Sequence, residues 1–128
     1  MSSTTQTRIR TYRDLVAWQL GMDLVEKVYK ATRVFPDAER YGLTSQMRRS
    51  SVSVPANIAE GYGRGRNKEF HRFLEVARGS LFELQTHAEL ARRLGWIKGE
   101  SLKELRELMQ RSDAVLAGLM SSVRRRET

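Results

Sequence analysis

Apolar side chains recur at steps of three and four residues along most of the chain, the spacing of one face of an α-helix. Four such patterns follow one another, separated by Phe35-Pro36, by the glycines from Gly61 to Gly65, and by Gly95 with Lys98-Gly99. Their apolar positions are Leu15, Trp18, Met22, Val25 and Tyr29; then Leu43, Met47, Val54 and Ile58; then Phe70, Phe73, Ala77, Leu81, Leu84, Ala88 and Ala91; and last Leu102, Leu105, Met109, Leu116, Leu119 and Val123. The pattern predicts an all-α protein, an antiparallel up-and-down four-helix bundle over residues 12–123.

The second pattern contains the least regular stretch of the sequence. Residues 50–54 read SSVSV, an alternation typical of a strand, and Pro55 follows directly. The helical register of the flanking residues continues through the stretch and favours a helix from about Asp37 to Gly63, kinked at Pro55 because proline has no N–H for the Ser51 carbonyl. Asn67 is the predicted N-cap of the third helix, which ends at Gly95.

The first helix has a wider apolar surface than a helix in a monomeric bundle needs. Leu20, Leu24 and Val28 extend the arc beyond the predicted core stripe to more than half of the circumference. We therefore predict that these three side chains form an oligomer interface. The alternative is that the N-terminal segment folds back over them.

The net charge of +8 is concentrated in three places. Residues 1–11 form a predicted flexible basic N-terminal tail, residues 124–128 form a basic C-terminal tail, and residues 40–72 carry seven cations against two glutamates. Basic patches of this kind attract polyanions through phosphate charge and counterion release. The cations predicted to contact nucleic acid are Arg48, Arg49, Arg64, Arg66, Lys68 and Arg72.

One strip of the second helix is polar, and it lies beside the apolar positions of that helix. Its members are Arg49, Ser53, Asn57, Glu60 and Arg64. Two interpretations are open: the polar groups satisfy one another where the helix bends around the bundle, or they bind a partner. The segment EGYGRGRNK after the strip lacks the spacing of a Walker loop and follows a helix rather than a strand, so it predicts at most an unspecific phosphate contact.

The sequence does not favour an enzyme or a metal protein. His71 with Glu75, and Glu83 with His87, are spaced four apart, but the Glu-x-x-His motifs of di-iron bundles are absent, and no G-x-S-x-G motif is present. We predict no catalytic residue, no metal and no cofactor. The chain has no cysteine and no apolar run of about 20 residues. These features predict a cytoplasmic protein with no membrane segment.

Three stretches resemble a known family: DLVAWQ at 14–19, FPDAERYGLTSQMRRSSVSVPANIAEGYGR at 35–64 and EFHRFLEVARGSLFELQTH at 69–87. The central motif, R-R-x-x-x-S-[IV]-P-x-N-I-A-E-G at residues 48–61, is specific to the four helix bundle protein family first found encoded in intervening sequences of 23S rRNA genes. This family is similar to the accessory variability protein of diversity-generating retroelements, a basic pentamer that binds nucleic acid and a reverse transcriptase. The resemblance implies a four-helix bundle, a homopentamer and a nucleic-acid role, without an established activity.

Two functions from different classes follow. The first is a non-enzymatic oligomeric protein that binds RNA or DNA through its basic surface. The second is a scaffold or assembly protein whose basic surface meets an acidic protein partner without nucleic acid.

Overall fold

The computed structural model describes residues 8–126. The elements are a 3-10 turn at Tyr12–Asp14, α1 at Val16–Thr32, a 3-10 turn at Asp37–Glu39, α2 at Leu43–Gly63, α3 at Asn67–Arg93 and α4 at Gly99–Arg126. No strand occurs within the described range. The predicted all-α four-helix bundle is confirmed.

Each helix packs against two others, so the four helices occupy the corners of a square. α1 contacts α2 and α4, and α3 contacts α2 and α4, whereas the diagonal pairs do not touch within residues 8–126. The contacts between α2 and α3 run in opposite directions along the two helices: Gly61 meets Phe70, and Ser53 meets Ser80. Ser50, one turn before Ser53, meets His87 on α3. This order of contacts places the end of α2 beside the start of α3.

The side of α1 that faces the core differs from the predicted side. Leu20, Leu24 and Val28 are buried within the single chain, whereas Met22 and Tyr29 are exposed. The prediction that the first three form an oligomer interface is therefore wrong. The buried face of α1 explains why, because it includes the small residues Ala17, Gly21 and Ala31. A face with small residues lets α1 approach its neighbours more closely than a face with Trp18 and Tyr29 would.

Pro55 illustrates this close approach. It is buried, and a Cβ on Gly21 would lie only 3.1 Å from the Pro55 Cβ, so the proline ring packs against the glycine backbone of α1. α2 is helical without interruption through residues 50–55, which excludes the strand. The kink at Pro55 stays a prediction.

The predicted element boundaries need four corrections. α2 begins at Leu43 rather than Asp37, because residues 37–39 form a separate 3-10 turn. Asn67 is the first residue of α3, and the N-cap is Arg66, whose side chain makes no capping bond. α3 ends at Arg93. α4 continues through Arg126, so the first three residues of the predicted C-terminal tail are helical.

The predicted N-terminal tail lies largely outside the description, since residues 1–7 and 127–128 fall outside the described residues. Within the described part, the backbone N–H groups of Arg10 and Thr11 both donate to Asp14 Oδ2, at 2.8 Å and 3.1 Å. The Thr11 bond is one half of a capping box on the 3-10 turn, whose other half is accepted by the Thr11 side chain, and the two bonds from Arg10 and Thr11 lower the pKa of Asp14. Among residues 8–126, no helix is both long enough and apolar enough to cross a membrane.

Candidate nucleic-acid interface

The six cations predicted to contact nucleic acid form two groups. Arg64, Arg66, Lys68 and Arg72 are all exposed and lie around the short connection between α2 and α3. Arg48 and Arg49 lie in the first half of α2, 15 or more residues before Arg64. At 1.5 Å per residue, the two groups are about 22 Å apart along the helix axis. The structure therefore does not join all six into a single patch.

The α2–α3 connection is shaped by two glycines. Gly61 has no side chain, and this lets Phe70 and Phe73 pack directly against α2. Gly65 has a φ of 79°, in the left-handed region that favours glycine, and it reverses the chain between the two helices. Arg64 at the end of α2 lies over the Phe73 ring at 5.0 Å and pairs with Glu60 at 2.9 Å. The connection thus presents exposed cations beside packed aromatic side chains.

Other cations lie at the same end of the bundle. The start of α1 lies beside the end of α2, because the two helices run in opposite directions. Gly21 near the start of α1 meets Pro55, and Thr32 at the end of α1 meets Arg48 near the start of α2. The end of α4 lies beside the start of α3, because Arg78 meets Asp113 and Glu89 meets Arg106. We call the following exposed residues the basic end: Arg10, Arg13, Arg64, Arg66, Lys68, Arg72, Arg124, Arg125 and Arg126.

The basic end carries a large excess of positive charge. Within residues 8–126, its nine cations are accompanied by three nearby carboxylates, Asp14, Glu60 and Glu69, which leaves six positive charges in excess. The chain segments that bring these cations are far apart in sequence. Their meeting follows from the topology, since an up-and-down bundle of four helices puts both termini and the second connection at one end. The meeting of both tails with the α2–α3 connection was not predicted from the sequence.

The middle of the predicted polar strip is satisfied inside the protein. Ser53 Oγ lies 2.7 Å from Ser80 Oγ on α3. Asn57 Nδ2 donates to the Ser53 carbonyl at 2.8 Å and to Ser53 Oγ at 2.9 Å. Of the two interpretations, internal satisfaction therefore describes Ser53 and Asn57. The ends of the strip, Arg49 and Arg64, remain exposed.

A cleft of about 310 Å³ lies between α2 and α3 beside Arg49. Ser50 Oγ and His87 Nδ1 are 3.4 Å apart there, a pairing that our sequence analysis missed. Ser50 Oγ also donates to the Met47 carbonyl at 3.1 Å, so the hydroxyl lies between a backbone carbonyl and the imidazole. Burial lowers the pKa of His87, and the nearby charge of Glu83 partly opposes this shift. The imidazole is thus neutral at pH 7.

This cleft does not have the geometry of a serine hydrolase. The hydroxyl of Ser50 donates to the Met47 carbonyl of its own helix, and Ser50 lies in the interior of α2, where backbone N–H groups are engaged in helical bonds. His71 Nδ1 and Glu75 are 4.0 Å apart on α3. No group of three or more potential metal ligands occurs among residues 8–126.

Comparison with known proteins places the chain in a family. The model of the 23S rRNA-intervening sequence protein family matches residues 13–118. The chain belongs to this family. A similar solved structure is that of a protein of unknown function from the S23 ribosomal protein family of Bacteroides thetaiotaomicron, with a TM-score of 0.75 and 18% identity over 83% of this chain and 96% of that chain. No curated protein matches the sequence.

The motif by which the chain resembles the 23S rRNA-intervening sequence protein family serves mainly to pack the bundle. Pro55 packs on Gly21, Gly61 admits Phe70, and Ser51 Oγ donates to the Arg48 carbonyl at 2.8 Å. Of the motif's charged residues, Arg49 has no hydrogen bond or ion pair within the described residues and is exposed. The family motif and the basic end are therefore largely separate features, linked only at the end of α2.

Proposed function

We propose that the protein is a non-enzymatic, oligomeric protein that binds RNA or DNA by its phosphates, and that the basic end is the binding surface. The observation that carries this proposal is the meeting of nine exposed cations from three separate segments at one end of the bundle. Eight of the nine are arginines, whose planar guanidinium groups suit bidentate contacts with phosphate. Absence of a membrane-spanning helix in the described part and of any cysteine is compatible with the cytoplasm, where such a partner is abundant.

The experiment is nucleic-acid binding of the full chain at several salt concentrations. We compare structured RNA and duplex DNA, and expect an affinity that falls steeply with salt, because each neutralised phosphate contributes a slope of about −0.9 in log K against log salt for duplex DNA. The variant Arg64→Ala, Arg66→Ala, Lys68→Ala removes three contacts and lowers that slope by up to about 3.

The matched control removes the same charge elsewhere. Lys103, Arg106 and Arg111 are exposed on α4, and their replacement by Ala also lowers the net charge by three. If both triple variants lose nucleic-acid binding at low salt equally, binding depends only on the net charge of the protein. This result would contradict the assignment of the site to the basic end. Absence of any binding at low salt refutes the nucleic-acid proposal and favours an acidic protein partner.

We also propose that the protein forms a closed ring of subunits, a homopentamer as in the relatives that its sequence resembles. Two apolar surfaces support a ring. Met22 and Tyr29 are exposed on α1 with Val52 on the adjacent part of α2, while Val76 and Leu90 are exposed on α3. α1 and α3 are diagonal helices, so the two surfaces lie on opposite sides of the bundle. A contact between two different surfaces is what generates a ring.

Light scattering of the purified protein tests the ring. We expect a mass of several subunits for the native chain and a smaller species for Met22→Glu, which places a charge in the α1 surface. Lys103→Glu is the control on α4. A monomeric native protein would refute the ring, and an unchanged mass for Met22→Glu would refute this interface.

A further inference from the structure

The opposite end of the bundle contains a basic cavity that the proposed function does not use. It has a volume of about 330 Å³ and lies where α1 ends and α2 begins. The lining residues that matter here are Thr32, Arg33, Asp37, Arg40, Thr44 and Arg48. The basic end is about 30 Å away, since the 21 residues of α2 separate the two.

The cavity has an excess of positive charge. Three guanidinium groups line it, and Asp37 is the single carboxylate among the lining residues. None of the three arginines forms an ion pair within the described range of the chain, because no carboxylate lies within 4 Å of them. The lining therefore carries two positive charges that no protein contact neutralises.

Arg48 is held in a fixed orientation at the wall of this cavity. Its Nε donates to Thr32 Oγ1 at 2.9 Å, and Thr32 Oγ1 in turn donates to the Val28 carbonyl at 2.8 Å. The guanidinium lies over the Tyr29 ring, 4.5 Å from its centroid. These contacts use the Nε position and one face of the group, so the two terminal nitrogens have no hydrogen-bond partner in the described structure. A group ordered in advance loses less entropy when it binds a ligand.

Thr44 adds a neutral donor to the same cavity. The Thr44 residue is largely buried, and its hydroxyl forms no hydrogen bond within residues 8–126 but is open to solvent. A hydroxyl in such a position is most stable when it donates to a ligand or to water. Guanidinium groups and a hydroxyl together form a set of donors around a space of small volume.

We propose that this cavity binds a phosphomonoester group in its dianionic form. The two uncompensated charges match a dianion, and planar guanidinium groups match phosphate oxygens in pairs. The same chemistry is offered by the 5′-phosphate at the end of a nucleic-acid strand and by a free small phosphorylated molecule. The cavity is distinct from the basic end, so binding of free phosphate here does not depend on the proposed function.

The test is calorimetric titration of the full chain with inorganic phosphate at constant ionic strength. Arg33 and Arg40 are exposed, so their replacement by Ala should leave the fold intact, which circular dichroism checks. We expect Arg33→Ala and Arg40→Ala each to weaken phosphate binding about tenfold, the effect of losing one charged hydrogen bond. Arg48→Lys keeps the charge but removes the paired guanidinium nitrogens and the hydrogen bond from Nε to Thr32. This variant should weaken phosphate binding at least as much. Arg111→Ala on α4 is the matched control and should bind like the native chain.

A second titration distinguishes the two sources of phosphate. One oligonucleotide is used with a 5′-phosphate and with a 5′-hydroxyl. Tighter binding of the phosphorylated strand, lost in Arg40→Ala, supports a strand end as the ligand. Binding of inorganic phosphate without a gain for the phosphorylated strand supports a free small phosphorylated molecule.

Two results overturn the proposal: no heat of binding at millimolar phosphate, or equal affinity in Arg33→Ala, Arg40→Ala, Arg48→Lys and Arg111→Ala. The triple Ala variant of Arg64, Arg66 and Lys68 separates the two proposals. This variant should no longer bind nucleic acid but should bind inorganic phosphate like the native chain. If the proposed function is refuted, phosphate binding by the cavity can therefore still be tested.

Discussion

Gly61 is a position of close approach between α2 and α3, and Gly61→Ala tests how strongly the bundle depends on that approach. A Cβ at residue 61 would lie 2.5 Å from the Phe73 Cβ, 3.1 Å from Phe70 Cδ1 and 3.3 Å from the Phe70 carbonyl oxygen. The Phe73 Cβ is attached directly to the backbone of α3 and cannot rotate away. The added methyl group must therefore separate the two helices.

Two opposing contributions set the magnitude. Alanine in a helix interior is more favourable than glycine by about 1 kcal/mol. Forcing an extra methyl group into a closely packed contact costs about 1–3 kcal/mol, and this contact is at the upper end because α3 itself must move. We expect a net loss of about 1–2 kcal/mol in the free energy of unfolding. For a chain of this length that corresponds to a fall of about 4–8 °C in the melting temperature.

The assay is thermal and urea unfolding followed by circular dichroism, with protein concentration held constant because any association shifts the transition. Gly79→Ala in α3 is the matched control, since a Cβ there meets nothing within 4 Å and only the helix propensity changes. Gly79→Ala should raise the stability by up to about 1 kcal/mol. A Gly61→Ala protein as stable as the native chain would show that the close approach of α2 and α3 is not limiting, and would refute the reasoning.

Further predictions concern the core, an orphan hydroxyl and acid stability. Leu24→Ala should lower the free energy of unfolding by about 2–5 kcal/mol at every protein concentration, because the side chain is buried within one chain, whereas Met22→Ala should change it little in the monomer. Ser112→Ala should raise stability by about 1 kcal/mol, since the buried Ser112 Oγ has no partner. Hydrogen bonds from Arg92 and Arg93 lower the pKa of Glu89 from 4.5 to about 2. The stability that this carboxylate contributes above pH 4.5 should therefore be lost as the pH falls towards 2. The urea midpoint of Glu89→Gln should lack that part of the pH dependence.

The four helices could be predicted because their apolar periodicity is strong and the breaks between them contain glycine and proline. The inward face of α1 could not. The apolar arc of α1 exceeds half of the circumference, so hydrophobicity permits two rotations of the helix about its axis. The choice between them depends on how well each face fits the neighbouring helices. Gly21 against Pro55 decides the fit, and this contact involves two residues whose hydrophobicity gives little information.

The candidate sites were predictable to different degrees. The cations of the α2–α3 connection are evident from composition, and their meeting with Arg124 follows from the predicted topology. The orientation of Arg48 was not predictable, because it depends on the register of α2 against Thr32 and Tyr29 of α1. The pairing of Ser50 with His87 depends in the same way on the register of α2 against α3.

The length of α2 separates the two regions for which we propose anion binding. Arg48 in the cavity and Arg64 in the basic end are separated by about 24 Å along the axis of α2, about three times the Debye length of about 8 Å at physiological salt. The charge of an anion bound at one end is therefore screened at the other end. The affinity of each end for anions should depend on the salt concentration independently of the other end. Under the two proposals above, one bundle would act as a cross-linker that binds two separate phosphates independently of each other.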